Sequence, residues 1–438
     1  MENVRTALES LRTSMSRKRG KIKKTFVEAL GRIESHFDVL DSASISLVES
    51  QRLVTHFRHT LPSVYPISPQ PALEFTAALA EFLYNDRILH SYTSGMKDQK
   101  AWWEAVLHAL LSGVMDYHDE HEEEESKIMI ASALYETICA MAFSLSMPFM
   151  SVALRCTAYS LLADTASGSS VNQRSLRDAP YAGGGKLGVH FWRTKDYLVL
   201  EALLTLFARI LPTTEKTAAG REARTRFLRS VFISSLTDEK HKKTAHDIVK
   251  LLENLRSSVW EPTAAKIMKI LANSDISYPQ PFEVKHVVIQ DKQKPVDLLY
   301  ADNTGFCANI VIEDDQYESL DIPYHTVQKI DLLRLEKDVQ IRAFLSSMPL
   351  FGSQPALSQQ SDEVVLIQFR LSKDDLLKFF EAMRARKIGK LLKAHPKSSL
   401  SLAAANLELD SAGRLLGKDE RYKTVSKCTC LQFPKAGV

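Results

Sequence analysis

Apolar positions recur every three to four residues from about 25 to 275, and beyond that point the period shortens to two. The first pattern predicts helices. "AWWEAVLHALLSGVMDY" (101–117), "SKIMIASALYETICAMAFSL" (126–145) and "KDYLVLEALLTLFARIL" (195–211) are clear instances, and several are apolar on more than one face. A helix of that kind is sandwiched between neighbours rather than laid on a surface. Paired helices repeating near every 40 residues predict a stacked helical-repeat domain over 25–275, of the armadillo or HEAT kind, with an irregular bundle as the rival. One stretch interrupts the array. "TASGSSVNQRSLRDAPYAGGGKLG" (165–188) is rich in Gly and Ser without an apolar period, which predicts a long loop.

"ISYPQP" (276–281) marks a boundary, and strands are predicted at 283–290, 296–302, 306–313, 317–323, 326–335 and 339–346. A loop (347–363) leads to the strand "VVLIQFRL" and then to one amphipathic helix carrying Leu376, Leu377, Phe380 and Met383 at spacings of three and four. Runs of helices followed by runs of strands make the chain α+β and multidomain. Six or seven antiparallel strands closed by a single helix are the plan of a pleckstrin-homology-like domain, here over 276–390. The remainder, 391–438, is Lys-, Ser- and Ala-rich with weak periodicity and reads as a flexible tail.

At 438 residues the chain exceeds one typical core, and 45% apolar with 25% charged residues is a globular balance. A formal charge of +3 does not by itself imply nucleic acid. No apolar run approaches the roughly 20 residues needed to span a bilayer, and the charged start "MENVRTALESLRTSMSRKRGKIKK" does not read as a signal peptide. Cys139, Cys156, Cys307, Cys428 and Cys430 form a scattered odd set that reads as reduced thiols. Together these features describe an intracellular protein for which no membrane association is expected.

Four places invite chemistry. "SRKRGKIKK" (16–24), within a basic N-terminal segment 1–24, concentrates Arg17, Lys18, Arg19, Lys21, Lys23 and Lys24. It reads as a nuclear import signal or a sequence-independent contact to DNA phosphates, against the plainer reading of a solvated helix start. "DYHDEHEEEESK" (116–127) gathers Asp116, Asp119, Glu120, Glu122, Glu123, Glu124 and Glu125. It reads as a solvated acidic loop between two helices or a docking surface for a basic partner. His118 and His121 lack the i, i+4 spacing that makes a metal site specific, so no metal is assigned. "APYAGGGKLG" fails as a phosphate loop because Leu187 follows Gly185–Lys186 where a hydroxyl is required. Lys292 and Lys294 fall between the first two predicted strands, where lipid-binding pleckstrin domains hold inositol phosphates, yet "VDLLYAD" after them has no basic residue. No nucleophile elbow or paired acid–base setting is present, so no catalytic residue and no cofactor are assigned and a non-enzymatic role is expected.

The order of a helical-repeat domain and a pleckstrin-like domain, with the hairpin "ESLDIPYHTVQKIDLLRLEKDVQIRAFL", resembles the N-terminal region of the meiotic chromosome-axis core family, the lateral-element proteins of the synaptonemal complex. The resemblance implies a scaffold of nucleus and chromosome with chromatin partners such as histones and HORMA-domain or cohesin-type proteins. It also implies a HORMA-recruiting peptide, which here would lie within 388–438. Family members continue into a C-terminal coiled coil, and this chain shows no sustained heptads. A phosphoinositide-binding signalling or trafficking adaptor is the alternative.

Overall fold

A computed structural model describes the chain apart from residues 17–21, 145–149, 179, 214–216, 237, 254, 256–259, 312–316, 353, 357–363, 395–407, 410–414 and 417–438. It is α+β, helical in its N-terminal region and built on two sheets in its C-terminal part. Two compact units divide it, one of Met1–Thr194 with Leu198–Ala264 and the other of Lys195–Tyr197 with Ala265–Val438.

In the first unit helical structure starts at Glu2, well before the position near 25 that periodicity suggests. Helix Glu2–Ser16 buries Val4, Leu8, Leu11 and Met15 on one stripe. These fall at spacings of four, three and four, the pattern of a helix seated on a core. Non-adjacent helices pair: Leu47–Thr60 packs on Lys97–Glu120, and Pro69–Phe82 packs on both Glu2–Ser16 and Glu124–Ala142. Helix Leu47–Thr60 is fixed at its start by a capping box, with Glu49 N–H donating to Ser46 Oγ and Ser46 N–H donating back to the Glu49 carboxylate. Lys97–Glu120 buries Trp103, Leu107, Leu110, Leu111 and Val114, so it runs through the interior.

The predicted loop 165–188 is not a loop. Helix Val152–Ala166 ends within it, a short helix covers Ser170–Arg177, and another spans Gly184–Arg193. The glycines serve close packing. A Cβ at Gly184 would overlap Ser230, and one at Gly188 would overlap the Val231 carbonyl and Ser235. Gly184 and Gly188 lie one turn apart on one helix face, so that face can approach the helix Ala218–Phe232 at backbone distance. The run of small and polar residues up to Lys186 hid the start of this helix, although Leu187, Phe191 and Trp192 further along it are buried.

Besides a two-stranded pair of Glu408–Leu409 with Leu415–Leu416, the described residues of the second unit form twelve strands in two sheets: β1 (Gln280–Glu283), β2 (His286–Ile289), β3 (Lys292–Pro295), β4 (Leu298–Ala301), β5 (Gly305–Val311), β6 (Tyr317–Pro323), β7 (Val327–Arg334), β8 (Asp338–Leu345), β9 (Leu350–Phe351), β10 (Gln354–Pro355), β11 (Val365–Ser372) and β12 (Leu392–Ala394). One sheet has the order β1-β4-β5-β6-β9-β10 and the other β12-β7-β8-β11-β2-β3. Pairing is antiparallel except between β12 and β7, which run parallel. The predicted strand 283–290 is therefore two strands in different sheets, and the predicted loop 347–363 contains the β9–β10 hairpin. Alternation along β8, half-buried at odd steps and buried at Val339, Ile341, Ala343 and Leu345, puts one face on the shared core.

Helix Asp375–Ala385 completes that core, burying Phe379, Phe380, Ala382 and Met383. Phe379 meets Phe282 edge-on at 5.5 Å and stacks over Phe306 at 6.1 Å between ring centroids. The stripe is thus rotated from the one the spacing suggests. Phe379 is central, Leu376 is half-buried, and Leu377 is 39% exposed. Leu392–Ala394, placed in the tail by composition, forms β12; most of the rest of 391–438 lies outside the described residues.

Candidate functional site

The pair β1–β2 has an irregular seam. Val284 and Lys285 carry the chain from one sheet to the other, held by Val284 N–H to the Asp297 carbonyl at 3.1 Å and Val296 N–H to the Lys285 carbonyl at 3.5 Å. On the facing side, β11 pairs with β2 only as far as Phe369 opposite Val287. It continues to Ser372, paired over 370–372 with β8 on its other side alone. The sheets part here, leaving a cleft of about 790 Å³ lined by 283–286, 297–298, Asp338, 370–372 and Asp375. That volume lies within the range typical of ligand-holding clefts. Ser372, at the end of β11, has its Oγ bonded to the Asp375 carboxylate at 2.8 Å and accepting from Asp375 N–H at 3.1 Å.

A second polar cluster in the same unit is sealed. Asp302 is 1% exposed, its Oδ2 accepts from Tyr197 N–H at 3.1 Å, and its Oδ1 has no hydrogen-bond partner among the described residues. Burial, with the Asp196 carboxylate adding repulsion, pushes its acid up to about 7. Cys307 donates its thiol to Asp321 Oδ1 at 3.7 Å, and burial raises both groups. These groups have the buried polar character of a structural core rather than an opening for substrate.

Among the residues nominated from sequence, Arg17, Lys18, Arg19 and Lys21 lie outside the described residues. Lys23 and Lys24 lie in helix Ile22–Glu34, with side chains outside the description. The acidic segment is not a loop between helices. Asp116, Asp119 and Glu120 end one helix, Glu124 and Glu125 open the next, and only 121–123 connect them. All seven carboxylates are exposed on one ridge. His118 turns inward, 6% exposed, with Nδ1 3.3 Å from Asp119 Oδ1. His121 is held apart by its contact to the Tyr117 carbonyl at 3.1 Å. Among the described residues no cluster of His, Cys, Asp and Glu is arranged to hold a metal. Lys292 and Lys294 are not in a loop; they belong to strand β3, and Lys294 lies over the Phe351 ring at 5.6 Å. The short segment "DKQK" is polar throughout, which disguised a strand at a sheet edge.

The cleft itself escaped the sequence reading because four separated segments build it and no one of them carries a motif.

No protein-family model matches the chain, and no curated protein matches it in sequence. A solved structure described as "Synaptonemal complex protein" aligns with 79% of this chain and 88% of its own, at 12% identity and a TM-score of 0.44. The likeness is distant. Among the described residues no helix is long and apolar enough to cross a membrane.

Proposed function

We propose that the protein is a non-enzymatic nuclear scaffold of chromosome organisation, acting at the meiotic chromosome axis through a helical, armadillo-like unit and a pleckstrin-like β unit. The observation that carries this reading is the segment 318–345, which carries the local part of the sequence resemblance. It folds as three successive strands, β6, β7 and β8, with the turn "PYHT" taking the chain from one sheet to the other. Helices first and sheets second is the order that the resemblance leads one to expect. In this reading chromatin proteins, histones among them, and cohesin-type proteins are the partners, the basic run 16–24 directs import or touches DNA, and a peptide within 388–438 recruits HORMA-domain proteins.

Replacing Arg17, Lys18, Arg19, Lys21, Lys23 and Lys24 with alanine is expected to abolish nuclear accumulation of the tagged full chain; unchanged accumulation removes that support. Phosphoinositide vesicles bound by the wild type and released by Lys292→Ala/Lys294→Ala would instead favour a signalling or trafficking adaptor.

A further inference from the structure

The cleft at the β1–β2 seam has a charge that selects its ligand. Glu283, Asp297, Asp338 and Asp375 line it beside Lys285, Arg370 and the imidazole of His286, so carboxylates outnumber the fixed cations. Neither cation forms a salt bridge with any of the four carboxylates. Glu283 is approached by Lys269 at 3.6 Å on the outer rim, where both side chains are more than half exposed. Such a pair is weak and readily exchanged. Asp375 is engaged by Ser372, whereas among the described residues Asp297 and Asp338 have no ion-pair partner. Acids so placed repel phosphates and carboxylates and attract ammonium and guanidinium groups.

Shape adds a second constraint. The wall formed by Arg370–Ser372 is the end of a strand paired on one side only. Such a backbone edge accepts an added strand, main chain supplying affinity and alternate side chains supplying specificity. A strand laid there would present every second side chain to one face of the cleft. We propose that this cleft is a binding site for an extended peptide segment bearing alternate basic residues, added beside the 370–372 end of β11 with its cationic side chains among Glu283, Asp297 and Asp338. The site goes beyond the scaffold reading and stands whether or not the protein resides on chromosomes.

The probe is a fluorescein-labelled decapeptide of alternating Lys and Thr, titrated by fluorescence anisotropy against the purified full chain. Saturable binding is expected, weakened about tenfold by Glu283→Gln/Asp297→Asn. Both positions are exposed, so unchanged melting curves verify that the fold is kept. Glu122→Gln/Glu123→Gln on the acidic ridge is expected to leave affinity unchanged, which separates the cleft from general attraction to acid. The same peptide N-methylated at alternate residues is expected to bind about tenfold more weakly, because strand addition needs its N–H groups. No binding, equal affinity in the cleft variant, or loss only in the ridge variant overturns the proposal. Anionic vesicles bound in place of the peptide, and released by Lys285→Ala/Arg370→Ala, overturn it in favour of a lipid surface.

Discussion

Arg386 donates its Nε–H to the backbone carbonyl of Asp302 at 2.6 Å. The same guanidinium reaches the carbonyls of Tyr278 at 3.0 Å, Ala382 at 3.1 Å and Ile276 at 3.3 Å. One planar fork therefore ties the end of the closing helix to the entry of the β unit and to the β4–β5 turn. Lysine cannot reproduce that geometry, since its ammonium is a point donor. Arg386→Ala strands several carbonyls and is expected to cost about 3 kcal/mol, with Arg386→Lys recovering less than half of it. Urea denaturation of the full chain, followed by circular dichroism, checks this.

The buried Asp302 makes stability depend on pH in a defined direction. Its folded acid titrates near 7, above the value of 3.8 for a free side chain. Between those values the folded state holds a proton that the unfolded state has lost, so this group lowers stability as pH rises through the interval. Asp302→Asn removes the titration while keeping an oxygen for Tyr197 N–H. Its Tm relative to wild type is expected to be higher at pH 8 than at pH 5, read from paired thermal melts. A difference independent of pH would contradict the assignment.

In the helical unit, Gly184 and Gly188 set the approach of their helix to Ala218–Phe232. Alanine has the higher helix propensity and would stabilise an open helix. Here it collides with Ser230 at one position and with the Val231 backbone at the other. Gly188→Ala is expected to destabilise by about 2–3 kcal/mol, because a backbone carbonyl cannot move aside. Gly184→Ala/Ser230→Ala is expected to lose less than Gly184→Ala alone. Gly185, with nothing within 4 Å of its would-be Cβ, provides the control and should tolerate alanine.

For the closing helix, Phe379→Ala is expected to cost about 3–5 kcal/mol, as full burial among aromatic rings leaves a cavity. Leu377→Ala should cost less than about 1 kcal/mol, since this side chain is 39% exposed and leaves no enclosed cavity. Chemical denaturation of both variants ranks them directly.

That contrast shows where pattern reading succeeds and fails. The strand-then-helix ending at 365–385 was legible because β11 has a clear apolar stretch and the helix keeps a three-to-four spacing. Its inward face was misjudged by one position, since Leu376, Leu377, Phe379 and Phe380 are all apolar and spacing does not choose among them. The helices at 170–177 and 184–193 were hidden because the first has one apolar anchor, Leu176, and the second opens on glycines, its large buried residues Leu187, Phe191 and Trp192 lying at or beyond the end of the Gly- and Ser-rich stretch. β3 was hidden because an edge strand such as "KQKP" has little apolar surface to bury. The acidic ridge was visible as composition, but its division between two helix ends depends on where each helix stops. The cleft had no sequence signal because Glu283, Asp297, Asp338 and Arg370 meet only through the crossing of the chain between sheets.

The central claim is residence on chromosomes. Stepwise salt extraction of chromatin from meiotic cells carrying the tagged full chain tests it most directly. The account predicts that the protein sediments with chromatin at low salt, is released at moderate salt together with histones and HORMA-domain or cohesin-type proteins, and is absent from vesicle fractions. Recovery in the cytosol or with membranes, and none on chromatin at low salt, would contradict it.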